Sequence, residues 1–586
     1  MMGGVLRDLL RAVWRGRGSR PRGRPIPPRS ERPAPQVQDF VAHDFEVWHT
    51  YTTYYDGPVE DLAEVAERLV SEGVAYTAML PDGRTIWRGG EGGTDVGFGV
   101  TLFESIDNGM RHRVQLIPGK DAPALDGYAQ EAWFRAGQFV SAEDKLFVGD
   151  RDVTPPAARA FLGACMLGSE DTGRIWLYPV VNLYESGVVV VHLQVLSGAV
   201  PTTLDVLIED YVNLFRHSFR FGLVPPAIAK LAPRADRVSY TPDPSLRNPI
   251  TRWRRGRYHD RAIDEMTVTH EGADFTWRLA PLSRSAMGEG ESMTGIVHAI
   301  FDVVGLLAGR RRTLTRRPWA PPGHLVKGNY WVGRPYVHLV RFEHQAPTAT
   351  LNEARHRESF AQLIMKTTAG ARQERLLAHL PGDMRVFEDA NVYLTRGLGL
   401  FAWSGQGLAQ HGDLLSDRNS YVVESQVKAE VAEHAHMLAR AVYEASDGVA
   451  DVDRVFGLRA RLLRLQAALD APSPYGEVTD LVRGALSEFG FWNLVEAARR
   501  RLTLREAEVT VRDSRRDERS RRALTLLFGV VAAPALADAV VEPVWAWSGA
   551  GVPGPPELEP VVHVAVAVLA LLIAGLAVVL VMRRGT

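Results

Sequence analysis

The amino-acid sequence predicts an α/β body, followed by an all-α stalk and a two-helix transmembrane hairpin at the carboxyl end. Strand-like and helix-like segments alternate from Asp39 onward, helical periodicity alone continues to Arg522, and two long apolar runs follow. The predicted boundaries are a basic disordered head at 1–38, a first α/β domain at 39–240, an Arg-rich linker at 241–258, a second α/β domain at 259–420, a helical stalk at 421–522 and the hairpin at 523–586.

The head is rich in Arg and Pro, and its only acidic residues are Asp8 and Glu31. Apolar residues between Val5 and Trp14 recur at helical spacing, which predicts a short amphipathic helix on anionic lipid; a disordered tail is the alternative. No secretory signal is expected, because the head has no apolar core of the required length.

In the body, Phe45–Tyr54 is predicted as a strand, and the apolar spacing from Leu62 to Val70 predicts a helix after it. A hairpin is predicted from Ile175–Tyr184 and Val188–Leu196, which flank the turn Glu185-Ser186-Gly187. The other predicted strands are Ala75–Leu80, Val96–Phe103, Arg113–Ile117, Tyr336–Phe342, Met384–Phe387 and Asn391–Trp403, and the other predicted helices are Leu204–Phe215 and Leu351–Met365.

The stalk is predicted as three helices, Val423–Ala445, Val449–Leu469 and Val482–Arg522. The third has an apolar stripe at heptad-like spacing, formed by Val495, Ala498, Leu502 and Val509. Neither Pro nor Gly interrupts it after Gly490, so the sequence predicts one long helix that continues into the first apolar run.

The two apolar runs, Ala523–Val541 and Val561–Met582, approach or exceed the ~20 residues of a membrane-spanning helix. Arg residues flank both outer ends of the pair, whereas the loop between the runs has no Lys or Arg. The positive-inside rule therefore predicts an inner-membrane protein with two spans, both termini in the cytoplasm, and Trp545 and Trp547 at the outer interface. A single cysteine, Cys165, agrees with a reducing compartment.

Within the first run, Gly529, Ala533 and Pro534 are predicted to pack against neighbouring helices in an oligomer. Asp538 and Glu542 are four residues apart and share one helical face, so an oligomer would place two carboxylate rings at the outer mouth of a pore. The alternative is that Asp538 lies at the interface with its carboxylate in water.

Two Arg-rich segments interrupt the body, Arg247–Tyr258 and Gly309–Gly323. Guanidinium groups beside Trp and Pro suit a nucleotide or another anionic ligand, and a solvated linker is the alternative. The candidate anion-binding residues are Arg310, Arg311, Arg312, Arg316 and Arg317.

Motifs of enzymatic chemistry are missing from the sequence. It has no phosphate-binding loop that ends in Gly-Lys-Ser/Thr, no His-Glu-x-x-His and no paired cysteines. We therefore expect no enzyme, and the sequence assigns no catalytic residue, no cofactor and no protein ligand for a metal.

From Met384 to Thr586 the layout resembles that of the CorA-type metal-ion transporters, in which a long stalk helix runs into the first of two terminal transmembrane helices. The family's Gly-Met-Asn signature is absent, and Val541-Glu542-Pro543-Val544-Trp545 stands in its place. The resemblance implies a pentamer in the lipid bilayer that acts as a cation channel or transporter, with a divalent cation as the possible transported ion.

Two-helix membrane effectors of bacterial conflict (anti-phage) systems have a similar layout. That similarity implies the alternative function, a membrane-anchored sensor or effector whose hairpin anchors to the membrane or disrupts it.

Overall fold

The computed structural model shows a mixed β-sheet with helices. It describes residues 40–55, 57–81, 85–87, 100–105, 109–114, 156–169, 173–196, 200–235, 265–270, 275–282, 292–309, 332–368, 377–411, 415–449, 451–470 and 476–536, and the isolated residues 135, 138, 139, 543, 547, 565 and 568. The chain divides into two compact units. The first contains Met1–Glu444 and Arg461–Ala497, and the second contains Ala445–Ala460 and Ala498–Thr586.

The described strands are β1 (Val41–Tyr54), β2 (Ala75–Met79), β3 (Thr85–Trp87), β4 (Val100–Ser105), β5 (Gly109–Val114), β6 (Ala157–Leu162), β7 (Cys165–Ser169), β8 (Gly173–Tyr184), β9 (Val188–Leu196), β10 (Thr202–Thr203), β11 (Phe221–Val224), β12 (Met266–His270), β13 (Phe275–Pro281), β14 (Val332–Phe342), β15 (Ala390–Leu394) and β16 (Gly399–Trp403). Within the described residues, fourteen of them form one sheet, and β4 and β5 form a separate pair. The long path through the large sheet is β12-β13-β11-β7-β8-β9-β1-β14-β16-β15.

Strand β1 lies inside this sheet between β9 and β14, and it runs antiparallel to both. Because β14 comes from the second predicted α/β segment, strands of both segments share one sheet. The predicted hairpin is present as β8 and β9. Its turn needs Gly187, which has a φ of +85°, and a Cβ there would collide with the carbonyl oxygen of Gly57.

The described helices are α1 (Leu62–Ser71), α2 (Pro226–Ala235), α3 (Met293–Leu307), α4 (Ala349–Met365), α5 (Gly405–His411), α6 (Leu415–Ala445), α7 (Val452–Asp470), α8 (Gly476–Phe489) and α9 (Phe491–Leu536). Helix α1 illustrates how the sequence determines where a helix begins and which face of it is buried. The Asp61 side chain caps its amino end by accepting a hydrogen bond from the amide of Glu64 at 2.9 Å, and the predicted apolar face from Leu62 to Val70 is buried.

One face of the sheet packs on apolar clusters. The larger cluster joins β6, β8 and β9 to α1, α2 and α3, and Phe301 and Val304 of α3 are fully buried in it. The smaller cluster joins β1, β14, β15 and β16 to α4, with Phe360 at its centre. Apolar burial of this kind provides most of the free energy of folding.

Three predicted elements differ from the structure. Leu204–Phe215 is not one α-helix, because a π-helical segment, Leu207–Val212, interrupts it with a bond from the Asn213 amide to the Ile208 carbonyl at 2.8 Å. Asn391–Trp403 is a hairpin, β15 and β16, rather than one strand. Met384–Phe387 is not a strand, although the Met384 amide donates to the Val392 carbonyl at 2.8 Å.

The predicted stalk begins earlier than expected, because α6 starts at Leu415. Its predicted third helix is divided into α8 and α9 at Gly490, where φ is +75°. An α-helix cannot continue through a residue in the left-handed region, so this glycine ends α8. The predicted apolar stripe of α9 is buried at Val495, Ala498, Leu502 and Val509.

The prediction of a two-span membrane protein is contradicted. No helix among the described residues is long and apolar enough to cross a membrane. The cation channel or transporter, the membrane-anchored alternative and the inner-membrane location with cytoplasmic termini are therefore wrong as predictions. Residues 537–542 and most of Val561–Met582 lie outside the described residues.

Candidate functional site

The second face of the large sheet is polar, although it is buried. In β1 the odd-numbered residues Phe45 and Val47 enter an apolar cluster, whereas the even-numbered residues point to the opposite side. Cross-strand neighbours extend this pattern, because Thr50 lies opposite both His192 and Arg334. We call this side the polar face; its residues are Asp44, Glu46, Trp48, Thr50, Thr52, Arg159, Asn182, Tyr184, His192, Gln194, Arg334, Tyr336 and His338.

Helix α6 covers the polar face. Its first contact is made by Arg418, whose guanidinium donates to Asp44 at 2.8 Å and 3.1 Å and to Glu46 at 2.7 Å. Glu46 also accepts hydrogen bonds from Trp48 at 3.0 Å and Gln194 at 2.7 Å. Burial by itself would raise the pKa of Glu46, but the Arg418 guanidinium, the hydrogen bond from Trp48 and nearby positive charges together lower that pKa below its usual value.

Glu430 lies at the centre of the contact in a cradle of four donors. Arg159 donates to its carboxylate at 3.2 Å and His192 at 2.9 Å, and Asn182 and Tyr184 donate to its second oxygen. Burial by itself would raise the pKa of Glu430, but Arg159 and the hydrogen bond from His192 lower it to about 2. The carboxylate is therefore charged and fully paired inside the protein.

One turn further along α6, Glu433 repeats this arrangement. Its Oε1 lies 2.9 Å from Arg334 Nη1 and accepts a hydrogen bond from the Tyr336 hydroxyl at 2.6 Å. The Arg334 guanidinium also lies 3.6 Å from the ring centroid of Phe489 in α8. Burial and the neighbouring Glu433 carboxylate raise the pKa of Tyr336 well above its usual value, so its hydroxyl stays a donor.

Between the ion pairs, Gln426 bonds to the middle of the polar face. Its Nε2 donates to Thr50 Oγ1 at 3.0 Å and lies 3.3 Å from His192 Nδ1, and its Oε1 lies 3.5 Å from His338 Nε2. The His338 ring stacks on Phe401 with centroids 4.7 Å apart. Burial lowers the pKa of His338 to about 4, so this imidazole is neutral near neutral pH.

The contact continues to the carboxyl end of α6. His434 Nε2 lies 3.0 Å from Ser186 Oγ, and its ring lies 4.3 Å from that of Tyr184. Burial lowers the pKa of His434 to about 4. At the last turn, the Tyr54 hydroxyl donates to Glu444.

The contact between α6 and the polar face is unusual because it buries charged side chains. Charged side chains are almost never fully buried unless they are paired, and a buried pair contributes little net stability because both ions lose hydration. Removing one partner is nevertheless expensive, because the other charge stays buried. The ion pairs therefore define the position of α6 on the sheet but contribute little net attraction of their own.

One line of side chains has the order of a hydrolase triad. Thr50 Oγ1 lies 2.9 Å from His192 Nδ1, and His192 Nε2 lies 2.9 Å from a Glu430 oxygen. Thr50, His192 and Glu430 are at most 1% exposed. No substrate reaches the hydroxyl while α6 covers the polar face.

The residues predicted as site residues lie almost entirely outside the described part of the chain. Arg310, Arg311, Arg312, Arg316 and Arg317, and also Asp538, Glu542 and Trp545, lie outside the described residues. The backbone of Gly529, Ala533 and Pro534 is part of α9, whereas the side chains of Ala533 and Pro534 lie outside the described residues. The Trp547 side chain is 90% exposed.

The sequence contains patterns that coincide with the residues of this contact. Polar residues recur at every second position of β1, of β9 at His192 and Gln194, and of β14 from Arg334 to His338. In α6, Gln426, Glu430 and Glu433 follow at helical spacing. Each pattern alone is also typical of a solvated surface, so only the pairing of strands and helix shows that these residues are buried together.

The described residues give no evidence for a metal site or for a reactive thiol. Among the described residues, no three His, Cys, Asp or Glu side chains come together as a metal site. Cys165 is a buried free cysteine, and burial raises the pKa of its thiol, which disfavours the reactive thiolate.

Comparisons with known proteins add no further information about function. No protein-family model, no curated protein and no solved structure matches the chain.

Proposed function

We propose that this protein is a regulatory protein rather than an enzyme, and that α6 is a reversible latch on the polar face of the sheet. The observation that carries the proposal is the chemistry of the contact: Arg418, Glu430 and Glu433 all point from α6 into buried ion pairs with the sheet.

A helix that stays permanently in a core is usually apolar on its buried side. The side of α6 that contacts the polar face is charged instead, although the helix also buries apolar residues such as Val427 and Met437 elsewhere on its surface. Buried ion pairs also define one register of the helix on the sheet, which is their best-attested use. The apolar clusters on the opposite face keep the sheet folded when the latch opens.

Hydrogen exchange tests the proposal. If α6 is a latch, its amides exchange through a local opening whose free energy is below that of the β8–β9 hairpin. Arg418→Gln removes the first ion pair and should accelerate exchange in α6 by at least about tenfold, while the hairpin keeps its protection. Lys428→Gln is the control, because Lys428 pairs with Glu424 within the same helix at 3.1 Å. Equal exchange free energies for α6 and the hairpin would show that α6 is a fixed part of the core.

A hydrolase is the second candidate, because Thr50, His192 and Glu430 have the order nucleophile, base and carboxylate. Opening of α6 would expose Thr50 but would also remove Glu430 from His192, which breaks the triad. The geometry therefore favours regulation. Hydrolysis of an activated ester by the unmodified chain, lost in Thr50→Ala, would reverse this preference.

A further inference from the structure

The donors that hold Glu430 form a site of their own. Arg159 comes from β6, Asn182 and Tyr184 from β8, and His192 from β9, so paired strands fix all four relative to one another. None of them belongs to α6, so the pairing of β6, β8 and β9 fixes their backbone independently of that helix. Together they direct donors from four side chains at one negatively charged group.

Such a set of donors selects an anion. The guanidinium of Arg159 provides a planar fork that matches carboxylate and phosphate oxygens. A phosphate group has three strong acceptor oxygens, whereas the Glu430 carboxylate has only two for four donors. The aromatic ring of Phe139 lies 4.0 Å from the Arg159 guanidinium and holds it in place from the side.

We propose that the sheet cradle of Arg159, Asn182, Tyr184 and His192 is a binding site for a phosphate-bearing small molecule, and that Glu430 occupies the place of its phosphate while α6 is seated. The inference rests on the proposed function, because the ligand reaches the cradle only when the latch opens. Phosphate and α6 then compete for the same donors, so ligand binding favours the open state.

The size of the ligand follows from the surroundings. The cradle residues Arg159, Asn182 and His192 are at most 2% exposed, and they lie in the interior of the sheet rather than at an edge. A phosphate group is small enough to take the place of the Glu430 carboxylate between these donors, so the proposal commits to a small phosphate-bearing molecule. Arg334, which pairs with Glu433 on the next turn of α6, adds a second positive charge on the same face.

Chemical rescue tests the cradle. Glu430→Ala removes the carboxylate and should lower the thermal midpoint of the full chain. Inorganic phosphate at constant ionic strength should restore part of that loss in proportion to its concentration, because it binds the folded state alone. Acetate at the same ionic strength is the comparison for the missing carboxylate. Glu424→Ala is the matched control on the same helix and should show no rescue, and Glu430→Ala with Arg159→Gln should lose it.

Rescue by phosphate that exceeds rescue by acetate supports the site. Rescue by acetate alone would overturn the assignment to phosphate, and no rescue by either would overturn the site. If Glu430→Ala does not fold, the unmodified chain decides the question: phosphate should accelerate hydrogen exchange in α6 severalfold, and unchanged exchange overturns the site. If α6 opens independently but phosphate has no effect, the proposal of a latch remains and only the proposal of a phosphate site is overturned. A failure of α6 to open independently overturns both.

Discussion

At the scale of single residues, the contact between α6 and the sheet depends on charges with little access to water, because Glu430 is 1% exposed and the Arg418 side chain 14%. Glu430 has four donors and Arg418 has two carboxylates, and their pKa values shift in opposite directions for the same reason. Burial penalises each ion, and its several partners together outweigh that penalty. Each of these residues is therefore costly to change singly.

We predict that Glu430→Gln lowers the free energy of unfolding by about 3–5 kcal/mol, because it leaves the buried Arg159 without its counter-charge. Glu424→Gln should cost at most about 0.5 kcal/mol, since its pair with Lys428 is a partly exposed one within a helix. Urea titration of both variants measures the difference. A cost below about 1 kcal/mol for Glu430→Gln would show that Arg159 finds another partner.

Acid should weaken the same contact. Burial lowers the pKa of His434 from 6.5 to about 4, so the unfolded chain binds this proton more readily than the folded chain. The contribution of His434 to stability is present above pH ~6.5 and is lost as the pH falls toward ~4. Between pH 7 and pH 5 the loss is about 2 kcal/mol.

His434→Gln should therefore flatten the dependence of the unfolding free energy on pH between about 6.5 and 4. Urea titrations of the variant and of the unmodified chain at several pH values measure this. An identical slope in both proteins would show that His434 is not neutral in the folded state, or that it is protonated without cost.

At the scale of elements, the boundary between α8 and α9 depends on one backbone conformation. Gly490 has a φ of +75°, and a Cβ there would collide with the Arg396 side chain. Gly457 offers a contrast, because it lies inside α7 and a Cβ there meets no atom within 4 Å.

We predict that Gly490→Ala lowers the free energy of unfolding by about 1–2 kcal/mol, through left-handed strain and the collision with Arg396. Gly457→Ala should raise it by about 0.5–1 kcal/mol, because alanine is the better residue in a helix interior. Thermal denaturation of the two variants gives opposite shifts if this account is correct. A stabilising Gly490→Ala would mean that α8 and α9 tolerate a continuous helix.

At the scale of the whole molecule, the expectation of a homo-oligomer remains a proposal. In the second unit, α9 exposes three apolar side chains on adjacent turns: Leu524 is 53% exposed, Leu527 61% and Phe528 67%. Exposed apolar groups that are contiguous on a helix are typical of an interaction surface.

We predict that the full chain self-associates through this surface, and that Leu527→Asp with Phe528→Asp reduces its mass in sedimentation velocity. Arg519→Asp is the control, because it changes the charge of α9 outside the apolar turn. A monomeric unmodified chain at micromolar concentration would contradict the prediction.

The sequence by itself determined the elements whose hydrophobic pattern is strong and local. These include the hairpin of β8 and β9, the buried face of α1 and the apolar stripe of α9, because a period of 2 or 3.6 residues directly records which side is covered. The sequence-based prediction of a two-span membrane protein is contradicted, since no helix among the described residues is long and apolar enough to cross a membrane.

Only the tertiary structure decided that β1 and β14, more than 200 residues apart in the chain, are neighbours, and that α6 covers the face they share. The sequence does not show whether the polar residues of that face are exposed or buried, because the same side chains can bond either to water or to a buried ion-pair partner. The partners of Glu430 are remote in the chain: the nearest, His192, is 238 residues away. No local pattern encodes such a separation, so long-range pairing alone brought the candidate site together.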